Sequence, residues 1–285
     1  MSTPTISIVT PSFNQASFLD ATIRSVLLQR FSGLEYIVLD GGSTDGSVEI
    51  ITRYADRLAY WASEKDGGHA AAVAAGIARA RGEILAFLNS DDLLLPGTLD
   101  AVACYFHRNP GVDAIYSHRV VCDAHGQVTG VWTLPPHSDY LMARWDLIPQ
   151  ETCFWRRRLF EEAGNVDPRR KFALDYDLFV RYMRAGRFAR LDRFNGVFRV
   201  HPASKTSREL GNIGQQDIAD IRRTYGITVS SIEEVVGDVL SAYVQWQSHR
   251  YVNGRGRRRP GAPMQRGYSV DRLWGGLLTA PMAAI

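Results

Sequence analysis

Apolar residues in the first 118 positions alternate between short runs and helical spacing. Runs typical of strands lie at residues 6–10, 34–40, 58–62, 84–88 and 112–117. Between these runs, apolar residues recur every three or four positions, as Leu19, Ile23, Val26 and Leu27 do. The run at 84–88 is apolar throughout, which is typical of a strand buried on both faces. Repeated β-α-β units predict a parallel sheet with right-handed crossovers and helices on both faces.

The pattern changes after Tyr116. Residues 120–122 and 128–133 flank the turn-rich stretch 123–126 and predict a hairpin. The segment 134–172 is irregular and rich in Pro, Trp and Arg, and helical spacing returns at 175–184, 212–225 and 232–251. The Gly-, Arg- and Pro-rich stretch 253–267 predicts a flexible segment.

Size and composition are those of a soluble globular protein. The chain has 285 residues, of which 45% are hydrophobic and 22% charged. No stretch approaches the roughly 20 apolar residues that span a bilayer, and the first residues lack the pattern of a signal peptide. Cys104, Cys122 and Cys153 form no CxxC pair, so we expect free thiols rather than disulfides or a zinc site. A cytoplasmic location is the resulting expectation.

The net charge of +3 is unevenly distributed. Residues 250–285 hold seven arginines and one acid, Asp271, which gives +6 there and leaves −3 for the remainder. General affinity of the globular part for nucleic acid is therefore not indicated. The basic stretch is followed by apolar residues at 273–278, which fit two interpretations equally. One is peripheral contact with an anionic membrane, at about 1 kcal/mol per basic residue near the surface. The other is docking on the domain or on a second subunit.

Polar residues in the first loop exclude two classes of protein. A dinucleotide-binding domain carries a glycine fingerprint between the first strand and the first helix, and residues 10–15 contain no glycine. An aspartyl-phosphate phosphatase needs an aspartate nucleophile there, and none is present. The polar groups of Thr10, Ser12 and Asn14 suit hydrogen bonds to a planar base. They equally suit a loop that caps the first helix.

Acidic residues follow the next three strands. Asp40 ends the second predicted strand, Asp66 follows the third, and Asn89-Ser90-Asp91-Asp92 follows the fourth. The carboxyl ends of parallel strands share one edge, where ligands bind in such sheets. Carboxylates there hold a divalent cation when substrate phosphates complete its shell. The alternative for each position is a turn or a helix cap.

Four motifs carry a family resemblance. They are Thr-Pro-Ser-Phe-Asn-Gln (10–15), Leu-Asp-Gly-Gly-Ser-Thr-Asp-Gly-Ser (39–47), Ser-Glu-Lys-Asp-Gly-Gly (63–68) and Leu-Asn-Ser-Asp-Asp (88–92). In order and spacing they resemble the family 2 glycosyltransferases of the GT-A fold, over residues 5–205. The resemblance implies an α/β protein with a Rossmann-like, mostly parallel sheet, flanking helices and a C-terminal helical extension. It also implies transfer of a sugar from a nucleotide diphosphate with inversion.

The resemblance assigns the donor site. Thr10, Pro11, Ser12 and Asn14 would line the base, Asp40 would contact uracil or its equivalent, and Asp66 would lie beside the base or ribose. Asn89, Ser90 and Asp91 would stand for the family's Asp-x-Asp motif, with Asp91 as ligand of Mn²⁺ or Mg²⁺. Asn89 departs from the pattern and removes one negative charge. Asp92 is expected to be a structural hydrogen-bonding partner. The stretch 69–73 is less polar than in relatives.

The second half supplies the remaining roles. Asp175 would be the catalytic base, and its alternative role is an N-cap of the following helix. Asp177 and Arg181 are expected to form an ion pair on the helix surface. Residues 198–201 resemble Tyr-Arg-x-His, so His201 would complete the metal shell or contact the diphosphate, and otherwise would be a turn residue. Residues 204–206 would meet phosphate oxygens when their loop closes.

The acceptor site is expected within 149–157. There Gln150 and Glu151 would bond sugar hydroxyls and Trp155 would stack on a pyranose, although a core role fits Trp155 nearly as well.

These expectations combine into one hypothesis about organisation and activity. Residues 1–118 form the nucleotide-sugar half, 119–210 the acceptor and catalytic-base half, 211–252 C-terminal helices and 253–285 a flexible tail. The enzyme is metal-dependent and inverting. It uses a UDP-, GDP- or dTDP-sugar and a glycan or lipid-linked acceptor, in surface polysaccharide or glycolipid assembly. Two competing classes are a sugar-nucleotide-processing nucleotidyltransferase, which usually begins with a glycine-rich basic loop, and a non-catalytic binding module. The sugar, base, linkage and oligomeric state stay open.

Overall fold

The computed structural model describes residues 6–253 and 268–281. Its strands are β1 Ile6–Ser12, β2 Leu34–Asp40, β3 Tyr60–Ser63, β4 Ile84–Phe87, β5 Leu93–Leu94, β6 Ala114–Cys122, β7 Val128–Trp132, β8 Phe154–Arg156 and β9 Phe188–Arg199. Its α-helices are α1 Ala16–Leu27, α2 Ser47–Thr52, α3 His69–Arg79, α4 Thr98–Arg108, α5 Asp139–Trp145, α6 Arg157–Ala163, α7 Leu174–Ala185, α8 Lys205–Glu209, α9 Gln215–Thr224, α10 Ser231–Val252 and α11 Val270–Leu273.

The described strands form one sheet in the order β3-β2-β1-β4-β8-β6-β9-β5, with β7 paired to β6. Strands β3, β2, β1 and β4 are parallel, and β8 runs antiparallel to both β4 and β6. The register pairs Ser12 with Asp40 and Asp40 with Ser63. The ends of β1, β2 and β3 therefore meet at one edge, as predicted. The predicted α/β class with a mostly parallel sheet and flanking helices is confirmed.

Alternation along the strands builds a core on each face of the sheet. Ile8 packs with α1, α2 and α4, whereas its neighbour Val9 packs with α3 and α7. Helix α3 lies very close to β1, because a Cβ on Gly76 would be 2.3 Å from Cγ1 of Val9. Glycine at this position lets an alanine-rich helix lie against the strand, which brings the start of α3 to the carboxyl edge.

The segment 268–281 packs against the globular domain. Val270, Trp274 and Leu278 are buried in a third cluster with residues of β6, β7 and β9, and Nε1 of Trp274 donates to the carbonyl oxygen of Leu94 at 3.3 Å. The expectation of a flexible tail is therefore wrong for 268–281, and residues 254–267 and 282–285 lie outside the described part. Of the two interpretations of the apolar tail, docking on the domain is the one observed. No helix in the described part is long and apolar enough to cross a membrane.

Candidate active site

The first two loops at the carboxyl edge are tied together by Asn14. Its backbone N–H donates to Oγ of Ser43 at 2.7 Å, and its Oδ1 accepts from the N–H of Thr44 at 3.0 Å. Asn14 adopts a left-handed conformation, with φ of 51°, which asparagine tolerates better than most residues. Asn14 therefore links the predicted base-binding loop to the loop after β2, through both its backbone N–H and its side chain.

Two of the predicted base contacts are internal. Thr10 is fully buried, and its Oγ1 lies 3.0 Å from the hydroxyl of Tyr36. Asp40 is 2% exposed, and its carboxylate accepts hydrogen bonds from the backbone N–H groups of Gly42 and Ser43 and from the hydroxyls of Ser43 and Ser63. These bonds fold the loop after β2. The expectation that Thr10 and Asp40 touch the base directly is corrected, because both side chains already hold the edge of the sheet.

The surface that is left for a base is made by other groups. Phe13 is 61% exposed, and a Cβ on Gly41 would lie 3.3 Å from both its ring and Oδ1 of Asp66. An aromatic ring and a carboxylate thus flank a glycine that leaves room between them. Pro11 is buried on β1, and Oγ of Ser12 is buried without a partner among the described residues. The sequence-based expectations give Phe13 no role, although an aromatic residue in a loop at the end of a strand is a signal for base binding.

Asn89, which departs from the family pattern, is bonded to Gln150 and to His69. Gln150 donates from Nε2 to the carbonyl oxygen of Phe87 at 2.6 Å, so its Oε1 accepts from Nδ2 of Asn89 at 3.1 Å. Oδ1 of Asn89 therefore faces Nε2 of His69, at 2.9 Å, and accepts a hydrogen bond from it. Burial lowers the pKa of His69, and the Lys205 ammonium lowers it further, so the neutral imidazole is favoured.

The predicted metal ligands lie side by side. Oδ2 of Asp91 is 3.0 Å from Nε2 of His201, although 110 residues separate them. Arg199 fixes the turn that brings them together, because its Nε donates to the carbonyl oxygen of Asp91 and its N–H to Oδ1 of Asp92. Asp92 is 1% exposed, as expected for a structural partner.

This donor set fits a divalent cation only in part. Among the described residues, no group of three or more His, Cys, Asp or Glu side chains is placed to hold a metal. One carboxylate and one imidazole suit Mn²⁺ or Mg²⁺ when a substrate supplies phosphate oxygens for the other positions. The pair therefore fits a metal that arrives with a nucleotide diphosphate. Ser90 adds no ligand, since it is 5% exposed and its carbonyl oxygen accepts from Oγ1 of Thr22.

Asp175 lies in the first turn of α7. The N-cap position belongs to Ala173, and the backbone there is held from outside, because Oδ2 of Asp217 accepts from the N–H groups of Phe172 and Ala173. The alternative of Asp175 as N-cap is therefore wrong. Burial raises its pKa, while the charges of Arg119 and Lys205 oppose the rise. The charge of Lys205 thus lowers the pKa of both His69 and Asp175.

The neighbouring Asp177 has a structural role. It is 2% exposed and accepts from Arg181 at 3.0 Å, with Arg170 at 3.4 Å. The expected pair with Arg181 is present, but it is buried rather than on the helix surface.

Arg119 on β6 is a positively charged residue near two acids, Glu151 and Asp175. Its guanidinium lies 3.8 Å from the ring centroid of Trp132 and 4.6 Å from that of Phe198. It is also 3.4 Å from Oε2 of Glu151 and lowers the pKa of Asp175. Arg119 is absent from the sequence-based expectations. The sequence feature that could have identified it is a charged residue next to a predicted strand.

Asp146 is a further acid that the sequence did not reveal. Burial, and then the charge of Asp175, raise its pKa to about 8. It lines a cavity of about 570 Å³ together with Trp132, Trp145, Leu147 and Arg222, and α10 forms the other wall. Because Trp132 carries the Arg119 guanidinium on its ring, this cavity adjoins the Asp175 region.

The predicted acceptor residues are internal. Trp155 is fully buried, with its ring centroid 6.4 Å from that of Phe87 and 5.8 Å from that of Tyr182. Gln150 orients Asn89, and Glu151 is 3% exposed beside Arg119. A short 3-10 helix at Gln150–Thr152 carries this segment into the sheet. The expectation that Trp155 stacks on a sugar is therefore corrected, because its ring lies in the core. The expectation that Gln150 bonds sugar hydroxyls is corrected as well, because its amide is bonded to Asn89 and to the carbonyl oxygen of Phe87.

The chain belongs to glycosyl transferase family 2, whose family model matches residues 7–167. An uncharacterized glycosyltransferase of Mycobacterium tuberculosis is 30% identical over 196 residues, which are 63% of this chain and 69% of the relative.

Solved structures share the fold. S. aureus TarS 1-349 in complex with UDP-GlcNAc matches with a TM-score of 0.62 at 18% identity, over 86% of this chain and 72% of that one. Against the longer TarS chain, the match spans 45% of its length. Mannosyltransferase PcManGT from Pyrobaculum calidifontis, in complex with GDP-Man and Mn²⁺, matches with a TM-score of 0.60 at 18% identity, over 87% and 71%. The predicted GT-A fold is confirmed.

Proposed function

We propose that this chain is a metal-dependent, inverting glycosyltransferase that moves a sugar from a nucleotide diphosphate to a hydroxyl of a glycan or lipid-linked acceptor. The observation that carries the proposal is the pairing of Oδ2 of Asp91 with Nε2 of His201 at 3.0 Å, just beyond the carboxyl end of β4. The charge of Lys205 supports the proposal, because it lowers the pKa of His69, which is bonded to Asn89 two residues before Asp91, and also that of Asp175.

The donor would lie along the carboxyl edge, from Phe13 and Asp66 at the base to Asp91, His201 and Lys205 at the diphosphate. UDP-GlcNAc in TarS, and GDP-Man with Mn²⁺ in PcManGT, support a nucleotide-sugar donor and a divalent cation. A cation held by Asp91 and His201 would neutralise charge on the diphosphate. Nothing in the base region selects between UDP, GDP and dTDP.

Asp175 would act as the base. Its carboxylate takes the proton of the acceptor hydroxyl while that oxygen forms a bond to the anomeric carbon. The bond between that carbon and the diphosphate oxygen breaks, and the electron pair leaves on the diphosphate. The raised pKa makes Asp175 a stronger base than an exposed aspartate, while the charges of Arg119 and Lys205 oppose the rise.

The acceptor would occupy the cavity beside Trp132 and Trp145. Aromatic walls suit the apolar face of a pyranose, and Asp146 and Arg222 supply polar groups at its rim. Residues 1–118 would thus bind the donor and 119–210 the acceptor, with α10 closing the cavity. Membership of the family supports the further proposal of a cytoplasmic role in surface polysaccharide or glycolipid assembly.

Donor binding and turnover test the proposal separately. A panel of UDP-, GDP- and dTDP-sugars with Mn²⁺ should raise the free energy of unfolding, by about 2.7 kcal/mol for a ligand at 100 times its Kd. Labelled sugar should then pass to an acceptor or, slowly, to water, and EDTA should stop both. Binding without any turnover would point to a non-catalytic module. Release of pyrophosphate from a nucleoside triphosphate and a sugar phosphate would point to a nucleotidyltransferase.

A further inference from the structure

Helix α10 has two faces of different character. Its inner face packs on β7, where Oγ of Ser248 accepts from the N–H of Val131 at 2.9 Å and Gly237 lies against Trp145. Its start is fixed by a capping box between Ser230 and Glu233. The helix is therefore anchored to the domain along one side.

The outer face of α10 is apolar and partly exposed in the described part of the chain, with the Arg250 guanidinium 4.7 Å from the ring centroid of Trp246. We call it the α10 stripe. Its members recur at helical spacing, and their exposed fractions are Ile232 78%, Val235 61%, Val236 39%, Val239 62%, Tyr243 44% and Trp246 51%. Surface helices of monomeric proteins normally turn apolar residues inward and polar residues outward. An apolar stripe that runs from Ile232 to Trp246, over 15 residues, marks an interaction surface.

We propose that the α10 stripe binds the same stripe of a second copy of this chain, with the two helices antiparallel about a two-fold axis. Val239 lies at the midpoint of the stripe and would meet its own copy. Antiparallel pairing places the large rings of Tyr243 and Trp246 on the smaller side chains at the other end. Parallel pairing would instead oppose Trp246 with Trp246.

Charge along the helix favours the same arrangement. Glu234 and Asp238 are exposed in the first half of α10, whereas His249 and Arg250 lie in its last turn. In an antiparallel pair, the acidic half of one helix lies beside the basic end of the other, and each surface patch is its own complement. A membrane surface fits less well, because interfacial helices carry Lys and Arg along the polar flank, whereas the first half of α10 is acidic.

Sedimentation equilibrium tests the dimer. The wild-type chain should be dimeric at micromolar concentration, and Val239→Glu should weaken the dimer at least 10-fold, because it opposes two carboxylates at the axis. Leu210→Glu is the matched control: Leu210 is 46% exposed on another surface, and this variant should remain dimeric. Circular dichroism should show the same helix content in all three. A wild-type monomer at 100 µM, or a Val239→Glu dimer of unchanged affinity, would overturn the proposal.

Cysteine crosslinking tests the orientation. In a Cys104→Ser background, which removes the exposed thiol, Val239→Cys should form a disulfide between copies and Trp246→Cys should not. Crosslinking at both positions would indicate parallel helices and would contradict the proposed arrangement. Binding of a monomeric wild-type chain to vesicles of anionic lipid would assign the stripe to a membrane instead.

Discussion

Nε2 of His69 donates to Oδ1 of Asn89 across 2.9 Å, so the stretch 69–73 is bonded to the asparagine that replaces the family's first aspartate. An aspartate at position 89 would draw a proton onto the imidazole beside it. With asparagine, no carboxylate at this position favours the charged form, and burial lowers the pKa of His69. Asn89, which replaces the family's aspartate two residues before Asp91, therefore pairs with a histidine of α3 whose charged form is disfavoured.

Restoring the family's acid should change that histidine. Asn89→Asp should raise the pKa of His69, because a carboxylate beside the ring stabilises the imidazolium. An NMR titration of the histidine rings, assigned with His69→Gln, measures the shift. Asn109→Asp makes the same substitution at the end of α4, away from the site, and should leave His69 unchanged. An unaltered His69 titration in Asn89→Asp would show that the pair does not form in solution.

Variants of the two aspartates in the first turn of α7 should distinguish an effect on catalysis from an effect on stability. Asp175→Asn should lower kcat by about 10²–10⁴, the usual contribution of a general base, with donor affinity retained. Asp177→Asn should lower Tm, since it breaks the buried pair with Arg181, and should leave kcat per folded molecule nearly unchanged. Initial rates with labelled donor and thermal melts give both numbers. Wild-type turnover in Asp175→Asn would remove the base assignment.

The pH dependence of kcat/KM should show the raised pKa of the proposed base, Asp175. Asp175 must be ionised to act, so activity should rise with pH through an acid limb, which burial places above the range of an exposed aspartate. Lys205→Met removes a charge that lowers this pKa, so the limb should move to higher pH. Lys171→Met, at an exposed lysine, is the control and should not move it. A limb at the same pH in both variants would exclude Lys205 as a neighbour of the base.

The acceptor cavity should respond to Trp132 and not to Trp155. Trp132→Ala should raise the KM for acceptor about 10-fold, equivalent to about 1.4 kcal/mol, while hydrolysis of donor by water continues. Trp155→Phe should lower Tm through the core and leave the acceptor KM unchanged. Steady-state kinetics at saturating donor distinguish the two. An acceptor KM that rises only in Trp155→Phe would restore the sequence-based assignment.

Glu35 should make stability depend on pH. Burial opposes its ionisation, but bonds from Oγ of Ser7 at 2.5 Å and from the backbone N–H and side chain of Arg81 lower its pKa overall. Its stabilisation is therefore present above the pKa of an unfolded glutamate and is lost as pH falls through the folded pKa.

Urea unfolding at several pH values measures this effect. Glu35→Gln should cost about 1–3 kcal/mol at pH 7, the range for charge-assisted bonds of a buried group, and the difference should shrink toward pH 3. The Arg81 side chain is 82% exposed, so its ion pair adds little. Glu83→Gln, at an exposed position, should change nothing. A pH-independent loss in Glu35→Gln would contradict the ionic cause.

Local pattern predicted the parallel half of the sheet, because its strands are apolar runs separated by helices. It also predicted that Asp91 and His201 meet, through a motif resemblance. It did not predict the orientation of side chains. Trp155 and Thr10 lie on strands that are covered by adjacent strands and helices, so both side chains are fully buried. Burial of this kind depends on packing between segments that are distant in the sequence.

Arg119 was missed for a related reason. A charge in a strand is meaningful only when the acids around it are known, and those acids come from three separate segments. The dimerisation of α10 and the docking of 268–281 likewise depend on surfaces that sequence spacing alone does not define.

Asp217 of α9 holds the two backbone amides that precede Asp175. The family model matches residues 7–167, so both Asp175 and the carboxylate that holds the backbone before it lie after the end of that match. A fragment cut at residue 210 would retain every motif of the resemblance and still lose the carboxylate that orients the start of α7. Such a truncation would be a poor reagent for assays.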